Sequence, residues 1–441
     1  MTYPGFAITR RGLLARLGGA GLSCAGLGIG SPAYAATPAR QAVTLLAKPA
    51  LAALRPGAPE TRISSLQPIE SGPMRFQRGD ELAVRFENKL AQPAILNWHG
   101  IEGALAAEPL TARRPVAPGG QDEFAIALRH AGTLMLDLRL LTDDAPMPAQ
   151  ALIVQESEAV AVDRDEVVLI EDWRLGPDGR ALPPGTETAD AEPSYTVNGQ
   201  PGLDLGVRTN VRLRLRFING CQRNVIAVKI AEHEVRVMAL DGQPSEPFLA
   251  RDGTLVLAPG TRIDAFVDAT KAAGTSFPIS LHDGKRAYLI VRLLYSGDSP
   301  LREAPLPILA SLPDNGLPAR IDLKSALRVD LALGIAQDWS LPNGFVPSAA
   351  PAFQVKRGRA VVLALTNRAA NPVVFHLHGH HFRLLDRLDD GWKPFWLDTL
   401  AIDAGQTQRI AFVAEFAGLW LIEAMAANWS APRLLRNYAV L

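Results

Sequence analysis

Cysteine is nearly absent from this 441-residue chain, which has only Cys24 and Cys221. That excludes a disulfide scaffold and any CxxC-type zinc or iron–sulfur site. Histidine is scarce, at eight residues. Net charge is missing as well: Lys+Arg and Asp+Glu are 45 each, so no bulk positive charge is available to hold nucleic acid. No Gly-rich phosphate loop and no GxSxG elbow occurs. Past the N-terminal stretch, no apolar run reaches about 18 residues, so the mature chain is expected not to span a membrane. Long helical patterns are absent too, and 34 Pro, 37 Gly and frequent Val-rich runs argue against a helix-dominated protein. What remains is 48% hydrophobic and 20% charged, an ordinary globular balance in a chain long enough for two to four cored domains.

The first 35 residues read as a targeting segment. Thr9-Arg10-Arg11-Gly12-Leu13-Leu14 precedes a Gly/Ala/Leu-rich stretch from Leu13 to Ile29, interrupted by Arg16. Ala33-Tyr34-Ala35 then supplies a small-x-small cleavage site. This is the layout of a cleaved twin-arginine signal peptide, which implies the twin-arginine translocase as an export partner and a periplasmic destination. A membrane anchor is disfavoured because the stretch is weakly apolar and interrupted. A lipoprotein at Cys24 is disfavoured by Gly21, where a lipobox wants Leu. Cleavage takes the net charge from 0 to −3 and leaves Cys221 alone, unable to form an intramolecular disulfide. The route carries folded proteins, often with a cofactor, and so hints at one.

The mature chain repeats one pattern three times. Leu82–Asn88 leads through a polar turn to His99, Val211–Asn219 leads to His233, and Val361–Asn367 leads to His378. From Asn to His is 11, 14 and 11 residues. A second landmark follows each copy: Gly119 to Gly132, Gly260 to Gly274 and Gly405 to Gly418, separated by 13, 14 and 13 residues. Alternation such as Val211/Leu213/Leu215/Phe217 against Arg212/Arg214/Arg216 predicts half-buried antiparallel strands, with the arginines on a solvated face. Short strands between Gly/Pro/Asn turns predict an all-β chain of three sandwiches. The boundaries are read as 36–160, 161–298 and 321–441, with a Pro-rich linker at 299–320.

Asn97-Trp98-His99-Gly100 and Pro372-Val373-Val374-Phe375-His376-Leu377-His378-Gly379-His380-His381-Phe382 resemble two of the four copper motifs of multicopper oxidases. The resemblance extends to Asn198-Gly199, Ala239-Leu240-Asp241-Gly242, Ala258–Asp264, Asp398-Thr399 and Phe412-Val413-Ala414. It implies three cupredoxin-like Greek-key β-sandwich domains, with a trinuclear copper cluster between the first and third and a type 1 copper in the third. Such a set takes about ten histidines and one cysteine, more imidazoles than this chain has. The resemblance therefore implies degenerate sites. Asn97 stands where the first motif has His. Asp137-Leu138-Arg139 stands for the second His-x-His, and Val373 for the first type 1 histidine. Glu423-Ala424-Met425 stands for His-Cys-His, with Trp429 at the later histidine position. Only His99, His376 and His378 of the trinuclear ligands remain, and Cys221 is in the wrong domain to replace the thiolate.

Arg139 puts a fixed positive charge where the family has a metal, so an Asp137–Arg139–Glu423 network is expected in the vacated cavity. His99, His376 and His378 are read either as hydrogen-bonded relics or as a residual mononuclear site for one Cu or Zn ion. His380 and His381 are read as neighbours of the ligands or surface groups, His130, His233 and His282 as isolated turn or surface residues, and Cys221 as a small packed residue. Two functions are left open. In the first, the protein is a non-catalytic scaffold or binding protein of the cell envelope, with no catalytic residues and no cofactor. It would be similar to the copper-free, twin-arginine-exported branch of the superfamily associated with cell division, with an envelope or cell-division protein as partner and no nucleic acid. In the second, it is an oxidoreductase or metal-binding protein using the retained histidines.

Overall fold

The computed structural model describes residues 39–68, 74–141, 146–187, 191–308, 310–386 and 391–441. The targeting segment lies outside the described residues. Among them, the regular elements are strands and three short 3-10 turns, the all-β content expected from the Pro/Gly punctuation. The strands form six sheets in three face-to-face pairs, made from Arg40–Gln155, Arg164–Tyr295 and Leu327–Val440. Each pair encloses its own apolar core. In the first, Leu82, Val84 and Phe86 of the strand Glu81–Asn88 point inward while the residues between them are more exposed. In the third, Val361, Leu363 and Leu365 face Val373, Phe375 and Ile422. Alternation at period two is what builds such a sandwich from one-sided sheets.

The repeat has a physical basis that the spacing alone does not reveal. In every copy the terminal Asn is fully buried and bridges the turn that follows it. Asn88 donates to the carbonyls of Gln92 and Val116, Asn219 to those of Asn224 and Leu257, and Asn367 to those of Asn371 and Ile402. The side-chain oxygen of each accepts the N–H two residues on, from Leu90, Cys221 and Ala369. The first glycine of the second landmark closes on the same residue: Gly119, Gly260 and Gly405 donate to the carbonyls of Asn88, Asn219 and Asn367. The two landmarks are thus halves of one joint, used three times. A buried amide must satisfy both its ends, and only Asn reaches these atoms from the strand end.

The strand Val211–Asn219 departs from expectation, because all nine residues are buried. The arginine stripe is not solvated. Arg212 pairs with Asp268, Arg214 with Glu156 and Asp264, and Arg216 with Asp165 and Asp264. Thr133 of the first sandwich also touches this set, accepting from Arg216 at 2.8 Å and donating to Asp264 at 2.6 Å. The face opposite the core is covered by neighbouring chain instead of water, and buried charges persist there because each is paired.

Arg262, fully buried, joins all three sandwiches. It donates to the Thr133 carbonyl of the first, to the Gly260 and Asp241 carbonyls of the second, and in a two-pronged pair at 3.0 and 2.7 Å to Asp398 of the third. Five donors in one rigid plane suit this task, which an ammonium cannot perform. Backbones also meet closely here: a side chain at Gly132 would lie 2.1 Å from the Gly242 carbonyl oxygen, so this position requires glycine.

Candidate metal centre

Strand register carries His376 and Glu423 to the same level. The strand Val373–Leu377 pairs antiparallel with Gly418–Ala426, placing His376 directly across from Glu423 and Val373 across from Ala426. The short strand Asn97–His99 pairs with Gly132–Asp137, so Asn97 faces Asp137. The sequence-predicted His99, His376 and His378 therefore come together. His99 stacks on His376 with ring centroids 4.2 Å apart, and His376 lies 4.4 Å from His378. All three are buried.

Glu423 is the hub of this cavity. One carboxylate oxygen accepts from Asn97 at 3.0 Å, His376 at 3.2 Å and His378 at 2.8 Å, and the other is paired with Arg433. Burial opposes its charge, but Arg433 and the two histidines hold its carboxyl well below the usual carboxylate range. His378 lies between two carboxylates. Its Nε2 faces Glu423, and its Nδ1 lies 3.1 Å from Glu108, which also accepts the Leu421 N–H. Burial again works against the charge, yet Glu108 and Glu423 push the imidazole up to about 10. Both ring nitrogens lie against carboxylate oxygens, an arrangement that favours the doubly protonated ring over a metal-binding lone pair. His376 behaves oppositely: burial, with His99 and His378 beside it, pushes it down to about 3. His99 has its Nε2 3.5 Å from Asp137, and neither of its ring nitrogens makes a hydrogen bond.

The expected Asp137–Arg139–Glu423 network does not form. The Arg139 side chain turns away to Glu171 at 3.3 Å and to the Met147 and Gly220 carbonyls, and only its backbone N–H reaches Asp137. Arg433 supplies the cavity's cation instead. It sits across the hairpin from Met425, diagonal to Glu423, within reach of a long side chain. Sequence reading also missed Glu108, which no motif spacing marks. The other histidines keep the expected places, beside the ligands for His380 and His381 and at bends for His130 and His233, but they are not isolated. His380 is buried against the Tyr438 hydroxyl at 2.7 Å and His381 against Glu102, so neither is a surface group. His233 is buried on the Tyr295 hydroxyl at 2.7 Å, and His130 contacts Glu102 and Gln243. His282 is exposed and Cys221 is packed in the middle core, both as expected.

The residues at the expected type 1 position do not fit copper. Val373 and Ala424 are fully buried in the third apolar core and offer no nitrogen or sulfur. Trp429 donates its indole N–H to the Pro183 carbonyl at 3.1 Å, away from them. At the trinuclear position, His99, His376 and Glu423 each bring one ligand atom within 4.8 Å of the others.

Family models described as "Multicopper oxidase" match residues 69–137, 164–290 and 320–439. The chain belongs to the multicopper oxidase family, with its cupredoxin-like fold. It is 24% identical over 402 residues to the multicopper oxidase MmcO of Mycobacterium tuberculosis, covering 80% of this chain and 78% of that one. Laccase-1 of Thanatephorus cucumeris is 27% identical over 234 residues, 46% of this chain and 40% of its own. Among solved structures, a multi-copper oxidase from Pseudomonas thermotolerans superposes with a TM-score of 0.79 at 25% identity, over 92% of this chain and all (100%) of its own. Lac15 from a marine microbial metagenome gives 0.73 at 27% identity, over 90% and 100%. Among the described residues, no helix is long and apolar enough to cross a membrane.

Proposed function

We propose that this chain is a multicopper-oxidase-fold protein without oxidase chemistry, a non-catalytic scaffold or binding protein of the cell envelope. It is exported to the periplasm by the twin-arginine route, and its partner is an envelope or cell-division protein. The observation that carries this reading is His378 held between Glu108 and Glu423 while Arg433 neutralises Glu423. Protons and a guanidinium occupy positions that a copper cluster needs as lone pairs. With aliphatic side chains where a type 1 copper would sit, electrons have no way in. The fold alone does not supply an activity.

A second reading has a specific observation behind it. Both nitrogens of His99 are buried without a hydrogen bond, beside His376 and Glu423. That favours a residual mononuclear Cu or Zn site, which would have to compete with Arg433 for Glu423. Copper loading followed by desalting tests the two together. The expected protein shows no intense copper–thiolate absorption, and its oxidation of phenols and diamines does not exceed that of free copper. A blue holoprotein, or turnover abolished by His376→Ala, would establish the enzyme instead.

A further inference from the structure

Glu102, His130 and His381 form a second cluster outside the family's copper positions. Glu102 follows the strand Asn97–His99, His130 precedes the strand Gly132–Asp137, and His381 lies beyond His378 in the third sandwich. One carboxylate oxygen, Glu102 Oε2, lies 3.3 Å from His130 Nδ1 and 3.0 Å from His381 Nδ1. All three ligand atoms fall within 4.8 Å of one another. Zinc held tetrahedrally at about 2.0–2.1 Å sets neighbouring ligand atoms about 3.3 Å apart. The two measured edges are close to that spacing.

The surroundings are those of a ligand set. The far nitrogen of His381, Nε2, donates to the Asp241 carbonyl at 3.1 Å, the usual way a metal-binding imidazole is oriented. Asp398 lies 4.0 Å from the same nitrogen, its own charge paired with Arg262. The His381 backbone N–H donates to the other oxygen of Glu102 at 3.3 Å and aims the carboxylate. Gln243 donates to His130 Nδ1 at 2.9 Å, which makes that atom a lone-pair acceptor, and its own oxygen is pinned by Asn315 at 2.9 Å. At His381 the proton on Nδ1 sits between the two groups that would bind a cation. The groups meeting Glu102 are imidazoles and a backbone N–H, whereas Glu423 already has a guanidinium. His130 is at the rim, its side chain 14% exposed.

We propose that Glu102, His130 Nδ1 and His381 Nδ1 form a Zn²⁺ site, with a solvent molecule as fourth ligand. Binding releases the His381 Nδ1 proton to solvent and displaces the Gln243 hydrogen bond from His130. The ion would tie the first sandwich to the third beside a glutamine of the second.

The test uses the full chain, stripped with chelator and titrated separately with Zn²⁺ and Co²⁺. The expected results are about one retained zinc per chain, by the three-ligand count, a raised melting temperature with zinc, and the strong visible bands of four-coordinate Co²⁺. His130→Ala and Glu102→Gln should each weaken zinc at least about tenfold and remove the cobalt bands, while His99→Ala with His376→Ala should keep both. His130→Ala, at the rim, should melt like the parent in chelator, which separates lost binding from lost folding. Failure of the parent chain to retain zinc overturns the proposal. So does zinc retained by His130→Ala and Glu102→Gln but lost from the His99/His376 variant, which would assign the metal to the cavity around Glu423.

Discussion

Glu423 accepts from three neutral or cationic side chains and is paired with a fourth, so its loss removes the carboxylate that four buried groups share. Glu423→Gln should cost roughly 3–5 kcal/mol in urea unfolding, and adding Arg433→Leu should restore part of it. An unchanged midpoint in the single variant would mean that Glu108 and the remaining contacts of Arg433 hold the two cations without Glu423. His378 gives a pH signature. Its value rises from 6.5 in the free chain to about 10 in the fold. A raised basic group stabilises fully below the unfolded value and loses that contribution as pH climbs through the folded one. Stability should therefore fall as pH rises between 6.5 and about 10, and His378→Gln should flatten this slope. Glu423 is readable in the sequence because it stands inside a motif. Arg433 is not, because its approach depends on hairpin register across ten residues. Arg139 points the wrong way for a related reason: a motif fixes where a side chain starts, and Glu171 decides where this one ends.

The strand Val211–Asn219 shows what alternation can and cannot report. Its apolar residues face the core as the period-two pattern requires, and that half is legible. Whether the arginine face meets water or protein depends on what lies above it, here Glu156 and Thr133 from distant chain. A usable signal exists in the partner strand. Asp264 and Asp268 alternate in Arg262–Ala269, and register sets Arg216 against Asp264 and Arg212 against Asp268. Opposite charges matched across two strands suggest pairing before solvation. Arg214→Ala leaves the buried Asp264 and the partly buried Glu156 short of a cation and should cost roughly 3–5 kcal/mol in chemical denaturation. Arg292→Ala, which removes an exposed pair with Asp204, should leave the midpoint near the parent value. Equal effects from the two would argue that the stripe is wet after all.

At the scale of the whole chain, the three repeats are legible as spacing, since each Asn–Gly joint recurs with little change. The contacts between sandwiches are not, because Arg262, Asp241 and Asp398 are far apart in sequence and carry no periodicity. These contacts make the sandwiches interdependent. Residues 161–298 made alone would expose or unpair Arg214, Arg216 and Arg262, which lose Glu156, Thr133 and Asp398. That fragment should lack a cooperative thermal transition by circular dichroism. A sharp melt at the temperature of the full chain would show that each sandwich stands by itself.

The guanidinium of Arg262, bonded at once to Thr133, Asp241, Gly260 and Asp398, ties the three sandwiches to one another at a single shared point. Their outer faces are held at set separations, like marks on a ruler. A macromolecule that touches two of them meets a spacing fixed before contact, and association need not spend free energy on aligning the parts.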